Sequence, residues 1–133
     1  MTPERTIHLA PSYDHASSLG SNETDGSRED RLTTRDKGRS IERYVERAAS
    51  AFHASPSSNK PLSTLDAFRE AGRIRPEAAD SWLELLKLVS LQDIVRIFEQ
   101  IPQERITPVA IAFAQRMLEL NRQRLLALQG ALR

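Results

Sequence analysis

The stretch TPVAIAFAQRMLELNRQRLLALQG, residues 107–130, decides the fold of this chain. Thr107 can cap a helix N-terminus, and Pro108 suits the first helical position. Apolar side chains then recur every three or four residues, as on one face of an amphipathic helix. The stripe comprises Val109, Ala110, Phe113, Ala114, Met117, Leu118, Leu125 and Leu128. Gly130 can stop this helix after about 21 residues, roughly 31 Å at 1.5 Å per residue, so we expect it to organise a helical core.

Shorter helices are predicted before this one. Ser40 can cap a helix that extends to Phe52, because the apolar residues between them fall at helical spacing. These residues are Ile41, Tyr44, Val45, Ala48 and Ala49. The polar and proline-rich run SPSSNKP, residues 55–61, then breaks the chain. A second short helix is predicted from about Ser63 or Thr64, with Gly72 at its end.

Two further helices begin at clear local signals. Pro76 favours a helix start, and Glu77 suits the first turn. The inward face of this helix is predicted to carry Ala79, Trp82, Leu83, Leu86 and Val89. The run SLQD, residues 90–93, resembles a capping box and predicts a helix that Pro102 closes.

These patterns predict a mainly α protein with four or five helices between about residues 41 and 128. One core should join their apolar faces. We expect this core to contain Val45, Phe52, Phe68, Trp82, Leu86, Ile94, Phe98, Phe113 and Met117.

Composition excludes several classes of protein. The chain has 133 residues and a formal net charge of +1, so no strong global charge attracts nucleic acid or an anionic membrane. Direct binding of nucleic acid and association with a membrane are therefore not expected. The absence of cysteine rules out disulfides and thiolate metal sites. Together with the lack of an apolar leader at the N-terminus, this composition predicts a cytoplasmic protein.

The N-terminal part differs in character from the rest. Thr6–Ala10 alternates polar and apolar residues and predicts a short strand. Residues 21–39 are almost entirely polar, with Leu32 as the one large apolar side chain, and predict a long polar loop. The alternative is that residues 27–30 form a weak capping box and open one turn of helix under Leu32. We therefore divide the chain into a segment 1–39 and a helical subdomain 40–133.

Asp14 follows the predicted strand and is the candidate metal ligand, because a carboxylate beyond a strand end can face a divalent cation. The residues around it, Leu9, Pro11, Tyr13 and Ser17, complete the pattern Leu-x-Pro-x-Tyr-Asp-x-x-Ser. This pattern resembles the metal-binding segment of HipA-like serine/threonine kinases. The resemblance implies that Asp14 binds Mg²⁺ on the phosphates of ATP, and that the chain is a helical subdomain of a kinase-like C-lobe. The alternative is an Asp that caps the turn through Ser17.

The parts that a kinase needs before this aspartate have no counterpart here. Only thirteen residues precede Asp14, so a glycine-rich loop, a strand lysine and a catalytic Asp–Asn pair are missing. The resemblance therefore implies a truncated or split lobe, of the toxin–antitoxin type, that transfers no phosphate by itself. Mg²⁺ and ATP are the cofactors of the intact family, and this chain alone is expected to use neither. Its expected partner is a protein that completes the lobe, or an antitoxin-like protein.

A second hypothesis is a non-catalytic helical module that binds a partner protein through an apolar helix face. His15 beside Asp14 is interpreted as a solvated or hydrogen-bonding side chain and not as half of an acid–base pair, since neighbours on an extended segment point apart. His8 and His53 lack zinc spacing, and Ser17 and Ser18 lack a base. The basic residues between 28 and 47 alternate with acidic ones, which predicts a solvated face with salt bridges. These residues are Arg28, Arg31, Arg35, Lys37, Arg39, Arg43 and Arg47.

Overall fold

The computed structural model describes residues 18–132, and within this range the chain is mainly helical, as predicted. A two-stranded antiparallel sheet interrupts the helices. The helices are α1 (Asp25–Thr33), α2 (Ile41–Glu46), α3 (Thr64–Ile74), α4 (Pro76–Leu88), α5 (Leu91–Glu99) and α6 (Pro108–Leu126). The strands are β1 (Ala49–His53) and β2 (Pro61–Ser63), and a 3₁₀ turn spans Gln103–Arg105.

The helix starts predicted from local signals are confirmed. Pro76 is the first residue of α4. Ser90 and Asp93 form a capping box at α5, in which each side chain accepts from the other residue's backbone N–H. Thr107 caps α6, where its hydroxyl oxygen accepts a hydrogen bond of 3.2 Å from Ala110 N. α3 continues to Ile74, so the predicted end at Gly72 is wrong.

The prediction of one helix from Ser40 to Phe52 is wrong. α2 ends at Glu46, and the chain then turns into β1, which pairs with β2. The backbone N–H of Thr64 donates to Ala48 O at 2.9 Å and closes the base of this hairpin. Strand pairing satisfies backbone groups that a longer α2 would have satisfied internally. As a result, Phe52 lies on the ribbon with 69% of its surface exposed and does not join the core.

The predicted polar loop is also wrong over Asp25–Thr33, which forms α1. Thr24 caps this helix, with its hydroxyl oxygen accepting from Ser27 N at 3.3 Å. α1 packs against α2 and α6, and Leu32 reaches the core there. The predicted strand Thr6–Ala10 lies outside the described residues, and the division of the chain at residue 39 stays a prediction.

Within residues 18–132, the buried apolar side chains form three clusters. The first joins α2 to α6 and contains Ile41, Val45, Phe113, Met117 and Leu120. The second joins α4 to the chain after α6 and contains Ala79, Leu83, Leu128 and Leu132. The third joins α5 to α6 and contains Ile94, Phe98 and Ala114. α6 contributes to all three clusters. Its buried residues belong to the first and third clusters, and its half-buried Leu125 packs against the second.

The predicted core is correct for the buried residues Val45, Ile94, Phe98, Phe113 and Met117. Phe68 and Leu86 are half-buried at the edge of the second cluster. The prediction that Trp82 and Phe52 belong to the core is wrong. Trp82 has 51% of its surface exposed. On α4 the inward positions are Ala79 and Leu83, and Trp82 is rotated by about 100° from Leu83 around the helix axis.

Candidate functional site

Asp14, the predicted metal ligand, lies outside the described residues together with His8, His15 and Ser17. The chain is described from Ser18 onward, where a tight turn sits on α6. Leu19 and Gly20 both adopt left-handed backbone conformations, with φ of 55° and 70°. Gly20 packs against the ring of Phe113, and Leu19 packs against the third cluster. The segment that follows the Asp14 motif is therefore fixed on the core.

α1 holds this turn through polar contacts. The guanidinium of Arg28 donates to Gly20 O at 3.1 Å and to Ser21 O at 3.3 Å. Glu23 accepts hydrogen bonds from the hydroxyl of Ser27 and from Arg31 Nε, the latter at 3.3 Å. The Ser27 hydroxyl foremost, and then the positive charge of Arg31, lower the pKa of Glu23. This carboxylate is therefore ionised at neutral pH and ties the turn to α1.

Tyr44 links the same region to the first cluster. The guanidinium carbon of Arg31 lies 4.6 Å from the centre of the Tyr44 ring, a cation–π contact. The Tyr44 ring meets Phe113 edge-on, with ring centres 5.5 Å apart. Burial raises the pKa of the Tyr44 phenol, so this hydroxyl stays protonated at neutral pH. The geometry describes a packed structural cluster.

The other predicted site residues in the described range are not brought together. The His53 ring is exposed, with Nδ1 2.8 Å from Ser58 O. Among residues 18–132, no group of three or more His, Asp or Glu side chains is placed to hold a metal ion.

Ion pairs occupy much of the basic cluster between residues 28 and 47. The pairs are Arg28–Asp25, Arg31–Glu23, Arg39–Asp30 and Arg43–Glu46. All four lie at or near the surface, where such pairs contribute little to stability. The interpretation as a salt-bridged face is therefore confirmed for these arginines.

A candidate interaction surface lies on α4, which is apolar on two sides. Its inner side packs into the second cluster, with Leu83 only 1% exposed. Its outer side carries Ala78, Trp82 and Leu85, at spacings of four and three residues, with Leu88 beside them and Val89 directly after the end of the helix. Leu85 is 54% exposed and Leu88 is 77% exposed. We call these five outer residues the α4 face.

The neighbouring elements fix α4 so that this face points to solvent. Arg122 of α6 donates to Lys87 O at 3.2 Å and so satisfies a carbonyl at the C-terminal end of α4. Glu84 accepts from Lys87 Nζ at 2.8 Å and from the amide of Gln129. The α4 face is therefore held on a folded scaffold and is exposed to solvent.

Sequence reasoning missed the α4 face by assigning Trp82 and Val89 to the core. The signal was present in the sequence, because α4 has two separate sets of apolar positions. One set is Ala79, Leu83 and Leu86, and the other is Ala78, Trp82, Leu85 and Val89. A helix with one buried face needs only one such set. The second set is therefore the mark of an additional surface.

No family model matches this chain, and neither does any curated protein or solved structure with which it was compared. The resemblance to HipA-like kinases therefore stays a prediction. Within residues 18–132, the helices are too short or too polar to cross a membrane.

Proposed function

We propose that this chain is a helical protein-interaction module that binds a partner protein through the α4 face. The observation that carries the proposal is the outward orientation of Trp82, Leu85 and Leu88 on one helix, each more than half exposed. Large contiguous apolar patches are unusual on monomeric soluble proteins and mark interaction sites. Trp is also among the residues that most often dominate binding energy at interfaces.

The spacing of the α4 face indicates the shape of its partner. Within α4, Ala78, Trp82 and Leu85 follow the four–three spacing of a coiled-coil seam. Such a seam packs against another amphipathic helix, with small Ala78 allowing close approach at one end. Burial of one large apolar side chain is worth roughly 1.5–3 kcal/mol. The exposed parts of these side chains would therefore contribute part of the free energy that offsets the cost of association.

The test combines capture and titration. Full-length chain and a Leu85→Glu variant are used to capture proteins from the native host, and a protein retained only by the unmodified chain is purified. Titration then follows the emission of Trp82, which is the single tryptophan of the chain. We expect a blue shift on binding and at least about tenfold weaker affinity for Leu85→Glu, equivalent to about 1.4 kcal/mol.

The matched control is Lys87→Gln, which changes the net charge of the same helix by the same amount but lies outside the α4 face. Its affinity should stay within about twofold of the unmodified chain, since it removes only an exposed pair with Glu84. Equal binding by Leu85→Glu and the unmodified chain would contradict the proposal. Analytical sedimentation of the chain alone measures whether it is a monomer or a dimer, and so distinguishes binding of a partner protein from pairing of two copies of this chain.

A second proposal keeps the resemblance: the chain is the C-terminal part of a HipA-like kinase lobe in the cytoplasm. It is supported by the motif around Asp14 and by the anchoring of the next turn, through Gly20, on Phe113 of α6. In this proposal Asp14 would contribute to holding Mg²⁺, and the ion would neutralise phosphate charge.

Calorimetric titration with Mg²⁺ and ATP tests this second proposal. The chain alone should neither bind the nucleotide measurably nor phosphorylate itself or other proteins. Addition of a partner protein that carries a nucleotide loop and a catalytic loop, or of an antitoxin-like protein, tests whether the lobe is completed. ATP binding that appears only with such a partner and is lost in Asp14→Ala supports the kinase proposal. Phosphate transfer by the isolated chain would contradict it.

A further inference from the structure

A cleft of about 770 Å³ separates the first and second core clusters. We call it the central cleft. One wall comes from Tyr44 and Met117 of the first cluster, and the other from Leu65 and Leu125 beside the second. The turn at Leu19 and Gly20 forms one end. The volume lies in the range of small-molecule sites, which are typically apolar with a few polar groups at fixed positions.

The charged side chains that line the central cleft are cationic, and its other polar side chains are the uncharged Ser18, Thr64 and Asn121. Arg31 and Arg47 line it, and among the described residues no carboxylate does. Arg31 is already engaged by Glu23 and by the ring of Tyr44. Arg47 is exposed and makes no side-chain hydrogen bond or ion pair within residues 18–132. Its guanidinium is therefore available to an anionic group that enters the cleft.

Positive charge also lies next to the central cleft. A second hollow of about 860 Å³ lies beside the hairpin and shares Arg47 and Leu65 with the central cleft. Five cationic and two carboxylate side chains line this second hollow. The two carboxylates are paired, as Arg43–Glu46 and Arg69–Asp66. Arg47 thus stands where an apolar cavity meets a region of net positive charge.

We propose that the central cleft binds an anionic amphiphile of the long-chain carboxylate class. The hydrocarbon chain would lie between Tyr44, Met117, Leu65 and Leu125, and the carboxylate would pair with Arg47. A guanidinium can bind a carboxylate through two parallel hydrogen bonds, which gives orientation as well as affinity. This ligand class matches both halves of the cleft, whereas a polar anion would leave the apolar walls exposed. The proposal is independent of the α4 face.

The probe is sodium laurate below its micelle concentration, with methyl laurate as its uncharged counterpart, titrated calorimetrically into the full chain. We expect saturable binding of one laurate per chain and at least about tenfold weaker binding of the ester. The thermal midpoint should rise with laurate, because the ligand binds only the folded state. Leu85→Glu should bind laurate like the unmodified chain, so this result stands apart from any result on partner binding.

The deciding variant is Arg47→Gln, whose side chain is exposed and whose folding is checked by circular dichroism. It should weaken laurate binding about tenfold or more and leave methyl laurate unchanged. Arg96→Gln is the matched control, since it removes an exposed arginine from α5, away from the cleft. No saturable binding of laurate, or equal losses in Arg47→Gln and Arg96→Gln, would overturn the proposal.

Discussion

A Cβ atom placed on Gly20 would lie 2.5 Å from Cε1 of Phe113. Phe113 has none of its surface exposed, and its ring also meets Tyr44 edge-on. The ring therefore has no free space into which it could move. Since Gly20 also has a φ of 70°, both its conformation and its contact require the absence of a side chain.

Gly20→Ala should destabilise the protein by about 2–5 kcal/mol, from left-handed backbone strain and overpacking against Phe113. Urea unfolding measures the change in the free energy of unfolding. Gly26→Ala is the control: Gly26 lies inside α1, and a Cβ there would meet no atom within 4 Å. It should stabilise the protein by up to about 1 kcal/mol, because Ala favours a helix over Gly. Similar losses for both variants would contradict this account.

Trp82 and Leu83 are neighbours on α4 with opposite environments. Leu83→Ala should cost about 2–5 kcal/mol, because it leaves a cavity in the second cluster. Trp82→Ala should cost about 1 kcal/mol or less, since more than half of the Trp82 side chain already faces solvent. Thermal and urea unfolding of the two variants provide the comparison. A Trp82→Ala loss equal to that of Leu83→Ala would mean that the tryptophan belongs to the core.

Glu23 should make stability depend on pH. Its pKa is lowered in the folded state by the Ser27 hydroxyl and Arg31, below an ordinary value of 4.5. Because the folded state favours the ionised form, the stability that it contributes is present above about pH 4.5 and is lost as pH falls through the lowered pKa. Glu23→Gln should reduce the loss of stability between neutral and acidic pH, measured by urea unfolding across pH. Glu29→Gln, on the exposed side of α1, should leave that dependence unchanged.

Ser90→Ala should cost about 0.5–2 kcal/mol, because the N-terminus of α5 loses its capping hydroxyl. In the structure this oxygen accepts from Asp93 N at 3.1 Å. Ser81→Ala provides the control on α4, where the hydroxyl donates to Glu77 O within the helix. That change should be neutral or slightly stabilising, since Ala is the better helix former. Chemical unfolding of both variants tests the difference.

Local signals made α4, α5 and α6 predictable from the sequence. Pro76, Ser90 and Thr107 each satisfy or remove backbone donors at a helix N-terminus, which depends on neighbours within a few residues. α1 was less visible, because it has one large apolar side chain, Leu32. Its packing on α6 is a contact between distant parts of the chain that periodicity alone does not reveal.

Residues 41–53 show why periodicity also overpredicted. Ala48, Ala49 and Phe52 continue the helical spacing of α2, yet they leave the helix and enter the hairpin. Pairing with β2 depends on residues 61–63, so the outcome was not encoded within the window that suggested a helix. The position of Arg47 at the central cleft could not be predicted for the same reason, since it depends on contacts between distant parts of the chain. Arg47 stands beside Leu65 and Leu125 only after the chain folds.

The separation of the core into clusters along α6 implies that the protein opens in parts. α4 depends on the second cluster at the end of α6, so it can detach without exposing Phe113 in the first. Amide hydrogens of α4 should therefore exchange with solvent through a partial opening. Those around Phe113 and Met117 should exchange only through global unfolding. A surface that binds a partner would then sit on the less stable unit of the molecule, and occupation of that surface would slow its exchange first.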